Sequence, residues 1–368
     1  MTPERAVARV DLRAIRRNAA TLGRAAGRAE LLAVVKAGGY GHGAVPVAHA
    51  ALEGGATRLG VAAIEEAEEL RAAGVGVPVI CWGPLMGEEW RRAATATADV
   101  AVWTPEACRS AAEAGVTRVH LKLDSGMGRL GARPDAVPAL AEAASDPRLE
   151  VAGLMTHFAT ADVTGGEEAG FFREQLARFR AMLGPLHERF PEATVHAANS
   201  AATLRDPAAA FDLVRCGIAL YGCSPFGRDP AEHGLEPALA LASYIASVKP
   251  LSGSESVGYG RSWRAARGTL IGAVPIGYGD GYSRAWSNRS RVLVRGRSVP
   301  VVGTISMDQL TVDLGPDAED RVGDEVVLIG AQGGERVGAE ELAELRGTIS
   351  YEVTCDIGRR VRRRYVDD

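Results

Sequence analysis

No run of apolar residues in this 368-residue chain approaches the roughly 20 that a membrane-spanning helix needs. Its start, Met1 to Arg17, is polar and arginine-rich and has no apolar leader core, so neither a signal peptide nor a membrane partner is expected. Cysteine is scarce. Cys81, Cys108, Cys216, Cys223 and Cys355 are odd in number, scattered, and free of metal-ligand spacing. That excludes a disulfide framework and fits reduced thiols in the cytoplasm. His120, His157 and His196 likewise lack a spacing suited to zinc, and no metal is expected. An excess of one charge is missing too. The formal net charge is -4, which gives no case for a nucleic-acid partner. Internal repeats and low-complexity linkers are absent. With 46% hydrophobic and 24% charged residues, the composition is that of an ordinary globular protein, long enough for two domains or for one barrel with an addition.

The stretch Leu31-Leu32-Ala33-Val34-Val35-Lys36-Ala37-Gly38-Gly39-Tyr40-Gly41-His42-Gly43 organises the rest. Its apolar, partly β-branched beginning reads as a buried parallel strand. The strand then meets a lysine and dissolves into glycines. Burial moves a lysine from about 10.4 toward about 7–8, where the amine can act as nucleophile or base. Glycines allow a sharp turn and a close ligand approach. Together they suggest a lysine that forms a Schiff base with a carbonyl cofactor or substrate, although such a segment is also how a plain turn with a solvated lysine reads. The glycine spacing is not that of a dinucleotide-binding loop.

Strand candidates recur along the chain at Leu31–Lys36, Arg58–Ala62, Val77–Trp82, Asp99–Trp103, Arg118–Asp124, Glu150–His157, Thr194–Asn199 and Phe211–Arg215. Amphipathic helical patterns lie between them, including Ile64–Ala73, Pro105–Ala114, Asp135–Ala144 and Glu167–Phe190. Asp11 is a good N-cap for a first helix with Leu12, Ile15 and Ala19 on one face. Eight alternations predict an α/β fold, a (β/α)8 TIM-type barrel over 11–236, with a doubly wound open sheet as the alternative. After Pro237 the pattern changes to short β runs punctuated by glycine and proline: Leu241–Lys249, Thr269–Pro275, Arg291–Val294, Val299–Val302, Leu310–Leu314 and Glu325–Ile329. One helix, Ala339–Leu345, follows. Residues 237–368, joined by the strand 1–10, are therefore expected to form an all-β domain. The basic end Arg359–Arg364 reads as a solvated terminal strand.

A barrel puts its chemistry at the C-terminal ends of its strands. Lys36 ends the first strand. Lys122, Asp124 and Arg129 follow the fifth, His157 ends the sixth, Asn199 and Ser200 the seventh, and Arg215 the eighth. A phosphate is commonly held after strands seven and eight, where Ser200 offers a hydroxyl and Gly217 and Ile218 offer main-chain N–H groups. The β region adds Tyr259 in SVGYGRSW and the pair Met307-Asp308 in TISMDQ.

The motifs AVVKAGGYGHG, HLKLDSGMGRLG, THFATAD, NSAATL, RCGIALYG, VGYGRSW, PIGYGDGY, TISMDQ and ISYE occur in this order. With them the whole chain closely resembles the bacterial alanine racemases, a pyridoxal-phosphate-dependent barrel family. The resemblance implies interconversion of L- and D-alanine, supplying D-alanine for peptidoglycan, in a homodimer whose sites are shared between one subunit's barrel and the partner's β domain. One departure is Gly38-Gly39, where the family usually has Asn-Ala, an exchange that bears on the rigidity of the cofactor loop.

The resemblance also implies roles. Lys36 is expected to hold pyridoxal 5'-phosphate as an aldimine and serve as base on one face, with Tyr259 from the partner as base on the other. Tyr40 and Tyr351 look like phosphate- or lysine-orienting hydroxyls, alongside Asn199, Ser200, Gly217 and Ile218 at the cofactor. Arg215 looks like the residue facing the ring nitrogen and His157 like its supporting partner. Arg129, Met307 and Asp308 fall at the substrate. Lys122 is expected on the inward face of its strand beside Arg129, either paired with Asp124 or another carboxylate or, as the resemblance suggests, converted by CO2 to a carbamate. The rival functions are a racemase of serine or of broader specificity, a barrel-type decarboxylase, which typically carries a carboxylate where Arg215 stands, and a barrel-only cofactor-binding protein, which lacks the β domain.

Overall fold

The computed structural model describes residues 4–367. The first strand, β1 (Val7–Asp11), leads into the helix Leu12–Ala26, which Asp11 caps by accepting the Ala14 N–H at 2.9 Å. Ile15, Ala19 and Leu22 of that helix are fully buried. Eight parallel strands follow: β2 (Glu30–Val34), β3 (Arg58–Val61), β4 (Val79–Cys81), β5 (Asp99–Val102), β6 (Arg118–Lys122), β7 (Glu150–Met155), β8 (Thr194–His196) and β9 (Leu213–Cys216). Their order is β8-β7-β6-β5-β4-β3-β2-β9. The Asp212 N–H donates to Val195 O at 3.0 Å and the Arg215 N–H to Ala198 O at 2.9 Å, which joins β9 back to the β8 end. The eight strands thus form a barrel, and the open-sheet alternative falls. Every residue of β5 and of β9 is buried, as strands covered on both faces require.

The β region consists of β10 (Leu239–Tyr244), β11 (Ser247–Leu251), a short hairpin β12 (Ser256–Val257) and β13 (Trp263–Arg264), then β14 (Thr269–Val274), β15 (Arg291–Val294), β16 (Arg297–Val302), β17 (Leu310–Gly315), β18 (Glu325–Gln332), β19 (Glu335–Val337) and β20 (Arg362–Val366). The run Leu241–Lys249, expected as one strand, is two. At Ile245 the chain donates to Asp324 O beside β18, and at Ala246 to Ala273 O on β14. The chain changes neighbours there, and an apolar alternation does not reveal such a switch. β1 pairs antiparallel with β10 and parallel with β20, so the first strand and the arginine-rich terminal strand both join this sheet. Of the segment 1–10, residues 1–3 lie outside the described residues. A helix at Ser350–Cys355, read only as the motif ISYE in the sequence, brings Tyr351 to the barrel.

After β2 the chain makes a left-handed helical turn. Ala37, Gly38, Gly39, Tyr40 and Gly41 all have φ between 50° and 82°. Left-handed backbone costs a non-glycine residue about 1–2 kcal/mol. Ala37 and Tyr40 carry that cost, whereas the three glycines do not. Gly38-Gly39 therefore takes this turn without strain, since glycine is the residue that adopts left-handed backbone freely. A Cβ on Gly38 would meet nothing within 4 Å, but one on Gly41 would lie 2.1 Å from Thr354 O. Gly38→Ala should lower stability by about 1–2 kcal/mol. Gly41→Ala should cost roughly 1–3 kcal/mol more, because backbone must move. Thermal unfolding of the two variants checks this; equal losses would contradict the packing at Thr354.

Candidate active site

At the C-terminal ends of the barrel strands lies a cavity of about 140 Å³. Lys36 and Tyr40 enter it from the left-handed turn, Lys122 and Arg129 from the end of β6, and His157 from the end of β7. Asn199, Ser200, Arg215, Gly217 and Ile218 line it after β8 and β9, and Tyr351 arrives from its C-terminal helix. All eleven barrel-side and helix positions expected at the cofactor or beside it are thus brought together.

The Lys36 turn is held by a residue the sequence reading passed over. Glu66 is the third residue of the helix Ile64–Ala72. Its Oε1 accepts the Ala37 N–H at 2.5 Å, and its Oε2 accepts the N–H groups of Ala62 at 2.8 Å and Ala63 at 3.1 Å. One carboxylate thereby ties the residue after Lys36 to the loop after β3. The only sequence signal is a glutamate at a capping-box position. Tyr221, also passed over, donates its hydroxyl to Val34 O at 2.9 Å, and its ring lies 4.8 Å from that of Tyr40.

The cavity is cationic. Burial pushes the Lys36 amine below the ordinary lysine value, and the Arg129 charge adds to the effect. Burial, with Arg215 and Arg129, pushes Lys122 down to about 8. Among the described residues, neither Lys122 nor Arg129 forms an ion pair with a carboxylate. Asp124 lies near enough to act on Lys122 through its charge but forms no ion pair with it: its Oδ1 accepts the N–H groups of Gly126 at 2.9 Å and Gly128 at 3.1 Å. The pairing of Lys122 with Asp124 is therefore not formed. Lys122 stands 5.9 Å from the centre of the Trp103 ring.

Arg215 is only 5% exposed. Burial pushes it down to about 10, which leaves it protonated at neutral pH. Its Nη1 donates to His196 Nδ1 at 3.0 Å, and its Nη2 to Thr156 O at 2.6 Å and Ala197 O at 3.0 Å. His157 Nδ1 lies farther off, at 3.4 Å. The nearer imidazole partner is thus His196, where His157 was expected; the strand ends at His196, whereas the sequence places its end at Asn199 and His196 inside it. Among the described residues the Nε–H has no partner. Burial and the Arg215 charge push the His157 imidazole down to about 3, so it is neutral.

At the other end, Ser200 Oγ accepts the Gly217 N–H at 3.0 Å and the Ala219 N–H at 3.4 Å. Asn199 caps the short helix Ser200–Arg205 by accepting the Ala202 N–H at 3.0 Å. A Cβ on Gly217 would lie 2.3 Å from the Tyr40 hydroxyl, so only glycine lets that hydroxyl stand over the turn. Serine hydroxyl, tyrosine hydroxyl and main-chain N–H groups converge here, a donor set suited to an oxyanion such as phosphate.

The β-region candidates are elsewhere. Tyr259 is 74% and Met307 51% exposed, and neither lines the cavity of its own chain. Asp308 pairs with Arg360 at 2.7 Å.

Residues 10–225 match the family model for the alanine racemase N-terminal domain, and residues 238–365 that for the C-terminal domain. The chain belongs to the alanine racemase family. It is 45% identical to the alanine racemase of Symbiobacterium thermophilum, over 97% of this chain and 96% of that protein. It is 42% identical to that of Frankia casuarinae, over 98% and 96%. The crystal structure of alanine racemase from D-cycloserine-producing Streptomyces lavendulae superposes with a TM-score of 0.93 at 41% identity, over 100% of this chain and 98% of that one. The enzyme from Bacillus anthracis, solved with bound L-Ala-P, gives 0.89 at 38% identity, over 99% and 95%. With the family in place, the location of two of the chain's three lysines in one cavity gains meaning, because arginine supplies nearly all of its positive charge elsewhere.

Proposed function

We propose that this alanine racemase family member interconverts L- and D-alanine using pyridoxal 5'-phosphate, and that the observation carrying this reading is the single cavity shared by Lys36, the unpartnered Arg215 Nε–H and the Ser200–Tyr40 cradle. The residues fit the cofactor. The cradle suits its phosphate, the Lys36 amine its aldehyde, and Arg215 Nε its ring nitrogen. When bound, the cofactor supplies an electron-accepting ring that acidifies the substrate Cα–H.

The chain's own groups do the rest. Lys36, whose burial favours the neutral amine, takes or returns the Cα proton on one face. Tyr259 of the partner subunit does so on the other, since inversion needs a proton to leave one face and return to the opposite one. Arg215 donates a hydrogen bond without giving up its proton. With the cofactor bound, such a donor would leave the ring a weaker electron sink, which would favour reprotonation at Cα over decarboxylation and transamination. Arg129, free of carboxylates, is placed to meet the substrate carboxylate, with Met307 and Asp308 of the partner closing the pocket. This arrangement requires a homodimer, in which residues 11–236 form the cofactor-binding barrel and 237–368, with the strand 1–10, reach the partner's site. Four of the five cysteines are buried and all are free, which suits a reducing, cytoplasmic setting, where D-alanine would feed peptidoglycan synthesis.

Borohydride reduction of the cofactor-loaded enzyme followed by peptide mapping should label Lys36; a label on Lys122 or Lys249 would sink the assignment. Tyr259→Phe should slow abstraction of the Cα proton from L-alanine more than from D-alanine, by ~10²–10⁴-fold. Deuterium exchange in both directions checks this, and equal losses would contradict the two-base reading.

We also propose that Lys122 is carbamylated. An amine with a pKa of about 8, beside two arginines and in no ion pair with a carboxylate among the described residues, has a neutral fraction able to add CO2. The amine nitrogen would bond to the CO2 carbon and release one N–H proton to solvent, giving an anion with two acceptor oxygens that would hold Arg129 by a charge-assisted hydrogen bond. Lys122→Ala should lower activity, and short-chain carboxylates in the buffer should partly restore it. No restoration by acetate or formate would leave the carbamate without support.

A further inference from the structure

The interior of the barrel carries a chain of buried polar groups that runs away from the cavity. Arg215 Nη1 meets His196 Nδ1 at 3.0 Å, His196 Nε2 meets His120 Nδ1 at 2.9 Å, and His120 Nε2 meets Asp99 Oδ2 at 3.4 Å. Asp99 Oδ1 in turn accepts from Arg118 Nε at 3.2 Å, at the opposite end of the barrel. His120 and His196 are fully buried and Asp99 is 3% exposed. Gly153 on β7 makes the contact possible. A Cβ there would lie 2.1 Å from His120 Nδ1 and 3.0 Å from His196 Nε2.

Elementary hydrogen-bond arithmetic allows these three contacts only one proton arrangement. A guanidinium can only donate, so His196 Nδ1 must be bare. His196 then carries its proton on Nε2 and gives it to His120 Nδ1. His120 must in turn be bare at Nδ1, protonated at Nε2, and a donor to the carboxylate. Both imidazoles are neutral, and every N–H points from Arg215 toward Asp99. One extra proton on either ring would set two donors against each other. Burial pushes both histidines below their ordinary value, in keeping with neutrality.

We infer that Asp99 and His120 are positioning residues for Arg215: the Asp99 carboxylate, at the far end of the barrel, selects the histidine tautomers that let Arg215 donate inward through Nη1 and present Nε to the cavity. Asparagine at position 99 tests the direction of the relay. Arg118 would claim the amide oxygen and turn the NH2 toward His120. His120 would then have to accept at Nε2 and donate from Nδ1, His196 would do the same, and its Nδ1–H would face the Arg215 N–H. A neutral, nearly isosteric substitution would reverse the whole relay.

The consequence for catalysis rests on the reading of Arg215 as the ring-facing donor, but the tautomer assignment does not. Nitrogen-15 NMR of histidine-labelled protein, with and without cofactor, reads the tautomers directly. The expectation is that His120 and His196 are both neutral Nε2–H forms at neutral pH, and that Asp99→Asn moves His196 toward Nδ1–H. The holoenzyme kcat of that variant should fall roughly tenfold while KM holds, and Gly153→Ala, which changes no charge, should give a similar loss. A wild-type imidazolium at His120, or an Nδ1–H form at His196, overturns the inference even if no variant folds. So does Asp99→Asn that lowers only the melting temperature and leaves both tautomers in place. Normal tautomers and a normal Asp99→Asn shift with no kcat change would leave the relay standing and overturn the positioning role.

Discussion

A guanidinium sealed inside a barrel, with no carboxylate paired to it among the described residues, is the constraint on which the rest of the site depends. Removing such a charge from water is expensive, and the usual remedy is a paired anion. Arg215 is instead stabilised by two carbonyl oxygens, Thr156 O and Ala197 O, and by a neutral imidazole. These acceptors lower the cost without neutralising the charge. The positive field that remains is felt throughout the cavity. It acts with burial to depress Lys122 and His157. A carboxylate paired with Arg215 would make the arginine easier to bury, but it would also cancel the field that favours neutral amines and an incoming anion.

The same logic explains the roles of distant carboxylates. Glu66 spends both oxygens on three main-chain N–H groups around the Lys36 turn. Asp124 spends one oxygen on the loop glycines 126 and 128. Asp99 is screened from the cavity by two imidazoles. Glu66 and Asp99 are thereby committed to backbone and to a relay, and among the described residues no carboxylate forms an ion pair with Lys36, Lys122, Arg129 or Arg215. An incoming anionic group, such as a phosphate or an amino-acid carboxylate, meets unpaired donors.

Much of this was legible in the sequence, because buried parallel strands advertise themselves as short apolar runs and barrel chemistry gathers where those runs end. Lys36, Lys122, His157, Ser200 and Arg215 were found in that way. What was not legible was lateral. His196 supports Arg215 from the adjacent strand, but in a strand expected to run to Asn199 it read as an interior residue and not as a strand end. Glu66 looks like any acidic residue in a first helical turn until its second oxygen is seen on another loop. The run from Leu241 to Lys249 keeps its apolar alternation through Ile245 and Ala246 while the chain changes sheet neighbours. Tyr259 and Met307 were nameable only from the family motifs, since in one chain they are exposed and make no site.

The glycines complete the argument, because a barrel of this kind ordinarily fills its interior with layers of branched apolar side chains. Here the lumen contains His120, His196, Lys122, Arg215 and Trp82, all bulky and most of them polar. Space for them comes from omitted side chains on neighbouring strands. A Cβ at Gly60 would lie 2.2 Å from the Trp82 ring, and one at Gly153 would lie 2.1 Å from His120. Glycine weakens a strand by lost entropy and lost packing. In an ordinary core it would be a poor choice. In this barrel two such positions admit an aromatic wall and a histidine pair in place of aliphatic layers. The interior thus gives up apolar packing to carry hydrogen bonds from one end of the barrel to the other, and the arginine at the upper end keeps both its charge and its aim.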